Sequence, residues 1–203
     1  MTKKLNSNQK NQPQNQSFAA TLIEYVEVFV FAVVFVILLM TFFFRLCKVD
    51  GPSMNNTLQN GEKLIISDFL YKPQTGDIVV FHLSDSDVEY YNKPLVKRVI
   101  ATEGQYVKID YMNKAVYVSS DDVFSDSERL DESAYAFYDS GVFDEAKTQT
   151  PAKIFAVPEN HLFVMGDNRN NSADSRNVHI GMVNESCVLG KALLRLSPFT
   201  VFK

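Results

Sequence analysis

The sequence predicts a mainly β globular part, a sheet or barrel-like core, behind one N-terminal transmembrane helix. Three observations carry that expectation. Residues 28–44 read VFVFAVVFVILLMTFFF, 17 residues without a charge. Eight short β-branched or aromatic runs then follow, bounded by Gly, Pro, Asn or Asp. Beyond the apolar run, no amphipathic periodicity longer than about ten residues marks a helix.

Averages over the chain hide this division. A length of 203 residues allows one ordinary domain plus an appendage. With 46% hydrophobic and 22% charged residues and a mean hydropathy of -0.10, the whole reads as soluble and globular. Eight Gly and seven Pro are too few for a collagen-like or Pro/Gly-rich disordered chain. The charge is unevenly spread. Residues 1–48 hold five basic and two acidic side chains, a net of +3, so residues 49–203 carry -7 of the overall -4. An acidic globular part on a basic foot is a poor partner for nucleic acid, and none is expected.

The first element is the apolar run. Seventeen helical residues rise roughly 25 Å, short of a 30 Å hydrocarbon core. Extension back through Leu22 and Tyr25, with Glu24 and Glu27 in the interfacial turn, closes the gap. A surface helix would show a polar stripe, and none is present. The segment FFFRLCKVD that follows is bulky and charged, unlike a signal-peptide cleavage site, so an uncleaved anchor over 21–45 is expected. The Asn/Gln-rich residues 1–20 are expected to be a disordered cytoplasmic tail. Lys3, Lys4 and Lys10 outnumber Arg45 and Lys48, which orients residues 46–203 to the extracytoplasmic side of the cell membrane in a single pass.

The β elements come next: EKLIIS, DIVVFHL, LVKRVIA, YVKID, AVYVS, KIFAV, HLFVM and KALLRL. Residues 119–147 interrupt them with nine acidic side chains against Arg129 and Lys147. That composition reads as a solvated insertion between core strands.

Most familiar chemistry is missing. The chain has no HExxH, GxSxG, P-loop or GxGxxG. The Ser7–Lys10 pair is a chance match in the tail. Asp85, Asp87 and Glu89 hint at a calcium loop, but Tyr90 replaces its Gly and Val96 its terminal Glu. His82, His161 and His179 have no ligand spacing. Cys47 and Cys187 are far apart and read as unpaired thiols, a bridge between them being the alternative. No metal and no cofactor is called for.

Three segments remain. Gly51-Pro52-Ser53-Met54 puts a serine in a tight turn nine residues past Phe44, and so within about 30 Å of the membrane end of the anchor. A turn hydroxyl ordinarily serves only as a backbone cap. Leu95–Ala101 alternates Leu95, Lys97, Val99 and Ala101 on one face with Val96, Arg98 and Ile100 on the other. Both faces are mostly apolar, so one cation is partly buried. A buried lysine loses its proton easily and can act as a general base, whereas an arginine cannot. A snorkelling or salt-bridged lysine is the ordinary alternative. Third, GDNRNNSADSR (166–176) packs Asp167, Asp174 and Arg176 into eleven residues, a density that needs either a fixed hydrogen-bond network or a wet loop.

GPSMNNTLQNGE, TGDIVVF, LVKRVIATEG and GDNRNNSADSR, in that order behind an N-terminal anchor, resemble the type I signal peptidases, and the single anchor and the Gly before Pro-Ser resemble their Gram-positive branch. The resemblance implies a signal-peptidase-like β core and a membrane-anchored serine endopeptidase. It implies that Ser53 is the nucleophile and Lys97 the general base. Ser172 then holds the lysine amine, and Asp174, Arg176 and Asp167 support the site. Met54, Leu95 and Val96 fall near the first substrate pocket. The implied substrates are secretory pre-proteins, bound as an added β-strand beside the lysine-bearing one and cut after small-x-small sites of the Ala-x-Ala kind. Gly51 stands where some relatives carry a serine that aids the oxyanion. Asn56, Thr75 and Gln105 also depart from the usual Pro, Arg and Asp. Two rivals are a soluble Ser–Lys self-cleaving repressor, opposed by the anchor, and an inert signal-peptidase-like scaffold for pilus assembly, opposed by the retained Ser53 and Lys97.

Overall fold

The apolar run, with no polar stripe to face water, folds as a single helix, α1 (Phe18–Phe43), in the computed structural model of the protein. The structure describes residues 18–83, 92–138 and 152–202. Most of the expected tail and the Asp85–Glu89 run lie outside them. The chain divides after Phe42 into a helical unit and a β-rich unit.

α1 is 26 residues long with a mean hydropathy of 2.8 over its most apolar window, and no residue of it is buried. At 1.5 Å per residue it measures about 39 Å, enough to cross a bilayer. Its length and near-continuous apolar surface are those of a membrane span. It begins earlier than the expected anchor and ends before it, because Arg45–Lys48 leave the helix to form strand β1.

All eight expected runs become strands: β2 (Lys63–Ser67), β3 (Ile78–Phe81), β4 (Leu95–Ala101), β5 (Tyr106–Asp110), β6 (Ala115–Ser119), β7 (Ala152–Ala156), β8 (His161–Met165) and β10 (Val188–Arg195). The short β1, β9 (Val183–Asn184) and β11 (Thr200–Val201) are additional. The main sheet runs β1-β2-β10-β3-β4-β8-β9, with β11 on β10, and β6-β5-β7 form a second sheet. Every named pairing is antiparallel.

Strand alternation explains the core. All four residues of β3 are buried. Ile78 and Val80 pack on one side with Met54, Leu58 and Val96, and Val79 and Phe81 on the other with Val99 and Leu162. The alternation expected along β4 fails at its far end. A register shift between Val99 and Ala101 sends Ile100 and Ala101 together into a third cluster with Val107 and Phe163, so Ala101 does not share a cluster with Val99.

The described part of the acidic stretch is mostly exposed, as its composition suggests, but it also contacts the fold. Residues 119–138 return to the fold: Leu130 N–H donates to the Val116 carbonyl, and Phe137 bridges in parallel to Asn168. Glu132 is buried, because Arg169 neutralises it.

Candidate active site

The Ser53 turn is built by its own sequence. Gly51 sits at φ +96°, a conformation that favours glycine, and its N–H is held by the Asn60 side chain at 3.0 Å. Pro52 then opens a tight turn, in which Asn55 N–H and Leu58 N–H close on the Pro52 and Met54 carbonyls. Met54 and Leu58 are 1% and 0% exposed, so the turn is pinned to the core by its apolar residues while Ser53 stays half-buried and open to the surface.

β4 delivers the lysine. Lys97 is 3% exposed, and its Nζ lies 2.8 Å from Ser53 Oγ and 2.9 Å from the Val96 carbonyl. Burial is the main influence on the amine and lowers its pKa from the usual 10.5 to about 8. The nearby Asp174 and Asp167 oppose that shift, while Arg176 and Lys93 add to it. A cleft of about 160 Å³ opens at the pair, with Met54, Leu95, Val96, Lys93 and Asn171 among its lining residues. At its lip Lys93 pairs with Asp50 at 2.6 Å.

Behind the cleft the 166–176 loop forms a fixed network. Asp167 is fully buried and receives Arg98 in a fork, Nε at 2.8 Å and Nη2 at 2.7 Å, together with the Thr57 hydroxyl. Asp174 is also fully buried. It accepts Arg176 Nε at 2.7 Å and Nη2 at 2.8 Å, and the Gly166 N–H at 3.0 Å. Burial pushes the Asp174 carboxyl up, but the charge and hydrogen bonds of Arg176 outweigh it and hold the group below its ordinary value.

Ser172 is not among the hydrogen-bond partners of the Lys97 amine. The lysine amine is held by Ser53 and the Val96 carbonyl. The buried Ser172 hydroxyl is among the groups that hold the Asp174 carboxyl low. Its side chain packs on Gly166, where a Cβ would strike both it and the Ser53 carbonyl.

The structure therefore brings together Ser53, Lys97, Met54, Leu95 and Val96 at the cleft and sets Asp167, Asp174, Arg176 and Ser172 behind it. Met54 belongs chiefly to the core. Gly166, Thr57 and Asn168 escaped sequence reasoning. Asn168 ties the loop to the serine turn through its N–H on the Ser53 carbonyl at 3.0 Å and its side chain on the Pro52 carbonyl at 3.2 Å. Arg98 was visible as the second cation of β4, and its alternation away from Lys97 was the signal that it serves a different partner. Cys47 and Cys187 are both free.

The sequence profile described as "Signal peptidase, peptidase S26" matches residues 22–197. Signal peptidase I of Bacillus licheniformis is 31% identical over 98% of this chain and 96% of its own length. Signal peptidase I S of Bacillus subtilis is 33% identical over 92% and 95%, and signal peptidase IB of Staphylococcus aureus 32% over 85% and 88%. A crystal structure of a signal peptidase I from Enterococcus faecalis aligns with 60% of this chain and 97% of that one, at 26% identity and a TM-score of 0.37. The sequence profile and the curated relatives define a peptidase, and its own structure is mainly β with one apolar N-terminal helix long enough to cross a membrane. The chain belongs to the signal peptidase family, peptidase S26.

Proposed function

We propose that the protein removes signal peptides from secreted pre-proteins, with Ser53 as nucleophile and Lys97 as general base. The observation that carries this is the 2.8 Å contact between the Ser53 hydroxyl and a buried lysine amine whose pKa lies near 8. At that pKa an appreciable neutral fraction exists near neutrality. The neutral amine takes the Ser53 proton as Oγ attacks the carbonyl carbon of the scissile bond. The resulting ammonium returns the proton to the departing amine, leaving an acyl-enzyme. Lys97 then deprotonates a water that attacks the acyl carbon and frees Ser53. Among the described residues no acceptor takes the Ser53 N–H, which leaves it available to the oxyanion. The Gly51 N–H is already engaged by Asn60 and is not the second donor.

Substrate adds as a strand along Leu95–Lys97. β4 lies inside the sheet rather than at its edge, but β8 pairs only with its Arg98–Ala101 half. Leu95, Val96 and Lys97 are paired on one side, with Phe81, Val80 and Val79, and no described strand lies on the other. Extended peptides use such an edge. The cleft of about 160 Å³ beside Leu95 and Val96 favours small side chains before the cut, in keeping with a small-x-small site. α1 spans the membrane, residues 1–17 face the cytoplasm, and the β-rich part, with its 119–147 insertion, lies outside.

The test is cleavage of a secretory precursor by the full chain in detergent. Cleavage after a small-x-small site, abolished by Ser53→Ala and by Lys97→Ala, is the expected result. Undiminished cleavage by either variant overturns the dyad. No cleavage of any precursor by the wild type leaves the scaffold alternative in its place.

A further inference from the structure

Glu132 belongs to an acidic stretch whose composition suits solvent, yet it is 7% exposed, and Arg169 is 1% exposed. The two form a close ion pair between Arg169 Nη2 and Glu132 Oε1. Tyr138 closes a triangle: its hydroxyl donates to Glu132 Oε2 at 2.8 Å and accepts from Arg169 Nη1 at 3.1 Å. The remaining guanidinium donor, Nε, holds the Gly166 carbonyl at 3.1 Å. The ring of Tyr135 lies 4.1 Å from the Arg98 guanidinium and 5.8 Å from that of Arg169, within cation–π reach of two of the network's arginines.

The backbone repeats the connection. Phe137 N–H donates to the Asp167 carbonyl at 2.7 Å, and Arg169 N–H donates to the Phe137 carbonyl at 2.9 Å. Asn168, between them, turns the other way and donates to the Ser53 carbonyl at 3.0 Å. Residues 167–169 thus form a short rib, with the insertion on one side and the serine turn on the other. Apolar contacts could hold such a rib, but they fix its register poorly. A buried ion pair flanked by hydrogen bonds, here those of Arg169 to Tyr138 and to the Gly166 carbonyl, fixes register at a cost in desolvation.

We propose that Glu132 and Arg169 are positioning residues for Ser53: their buried pair clamps the 167–169 rib, and the rib sets the serine backbone against Lys97. This rests on the Ser53–Lys97 reading above. It gives the described part of the acidic insertion a function, that of a brace on the reaction site.

Three variants of the full chain test it. Glu132→Gln leaves a buried guanidinium without its counter-charge and lowers the melting temperature. Arg169→Lys keeps the charge opposite Glu132 but loses the fork on Gly166 and Tyr138. The double variant Glu132→Leu/Arg169→Met removes both charges and recovers stability, yet holds no carbonyl. In the second and third, kcat is expected to fall about 10- to 100-fold, with KM within about twofold, because misplacement near the reacting atoms costs that much. The midpoint of the pH–rate profile, set by Lys97, is expected to stay in place. A wild-type kcat in either folded variant overturns the proposal.

Hydrogen exchange of the Asn168 amide reads the rib without reference to catalysis, and is expected to speed up about tenfold while amides of β5 and β6 do not change. Unchanged exchange at Asn168 overturns the brace whatever the kinetics. Cleavage by Ser53→Ala overturns the dyad alone.

Discussion

The amine of Lys97 stands 2.8 Å from the hydroxyl of Ser53, although 43 residues separate the two along the chain and the amine is almost wholly out of water. Each is carried by an apolar neighbour. Met54 and Val96 bury themselves in the same cluster, and the polar side chains beside them meet at the surface of that cluster. The contact follows from core packing.

Replacing Lys97 by arginine keeps the charge and length but not the chemistry, since a guanidinium does not give up its proton. Lys97→Arg is expected to lose at least 100-fold in kcat, on the scale of general-base contributions, with the fold retained. Single-turnover cleavage of a precursor checks it. A rate within threefold of wild type would mean that Lys97 acts by charge alone.

The cleavage rate should rise with pH and level off above about 8, the value to which burial brings Lys97. The sign for stability is the same. Between about 8 and the usual 10.5 the unfolded chain binds more protons at this site than the folded one, so folding stability from Lys97 grows across that window. Below about 8 the lysine is charged in both states and the window is closed. Thermal melts of the wild type and Lys97→Met at pH 7 to 10.5 check this: the wild type should gain stability relative to the variant as pH rises through about 8.

Gly166→Ala places a methyl against the Ser53 carbonyl and the Ser172 side chain. Overpacking of this kind costs about 1–3 kcal/mol. Because the strain falls on the serine turn, activity should drop at least tenfold while the protein still folds. Denaturant titration and kcat together separate the two effects.

Asp174→Asn leaves the Arg176 guanidinium buried without its charge partner, a loss of about 3–5 kcal/mol by the behaviour of broken buried pairs. In the wild type the folded Asp174 carboxyl is held below its ordinary range, so its contribution is present above that range and fades as pH falls through the folded value. Stability in urea at pH 7 and at pH 3 should therefore differ more for the wild type than for Asp174→Asn.

Much of this protein is decided locally. Seventeen uncharged residues make a helix with no use for water, and eight β-branched runs between turn residues make the strands, since side-chain shape and solvation act within a few residues. Ser53 in a Gly-Pro turn and Lys97 on an apolar strand were legible for the same reason, and the ordered motifs named the family. Register, ion-pair choice and burial were not local. Alternation along β4 predicts Ala101 on the Lys97 face, but the irregularity opposite Phe163 turns it away. Ser172 carries the right hydroxyl, yet the lysine amine is held by Ser53 and a carbonyl. Glu132 looks solvated by composition, and becomes buried only because Arg169 arrives from 37 residues downstream to neutralise it. A charge's partner is set by where distant segments meet, and only the tertiary structure decides that.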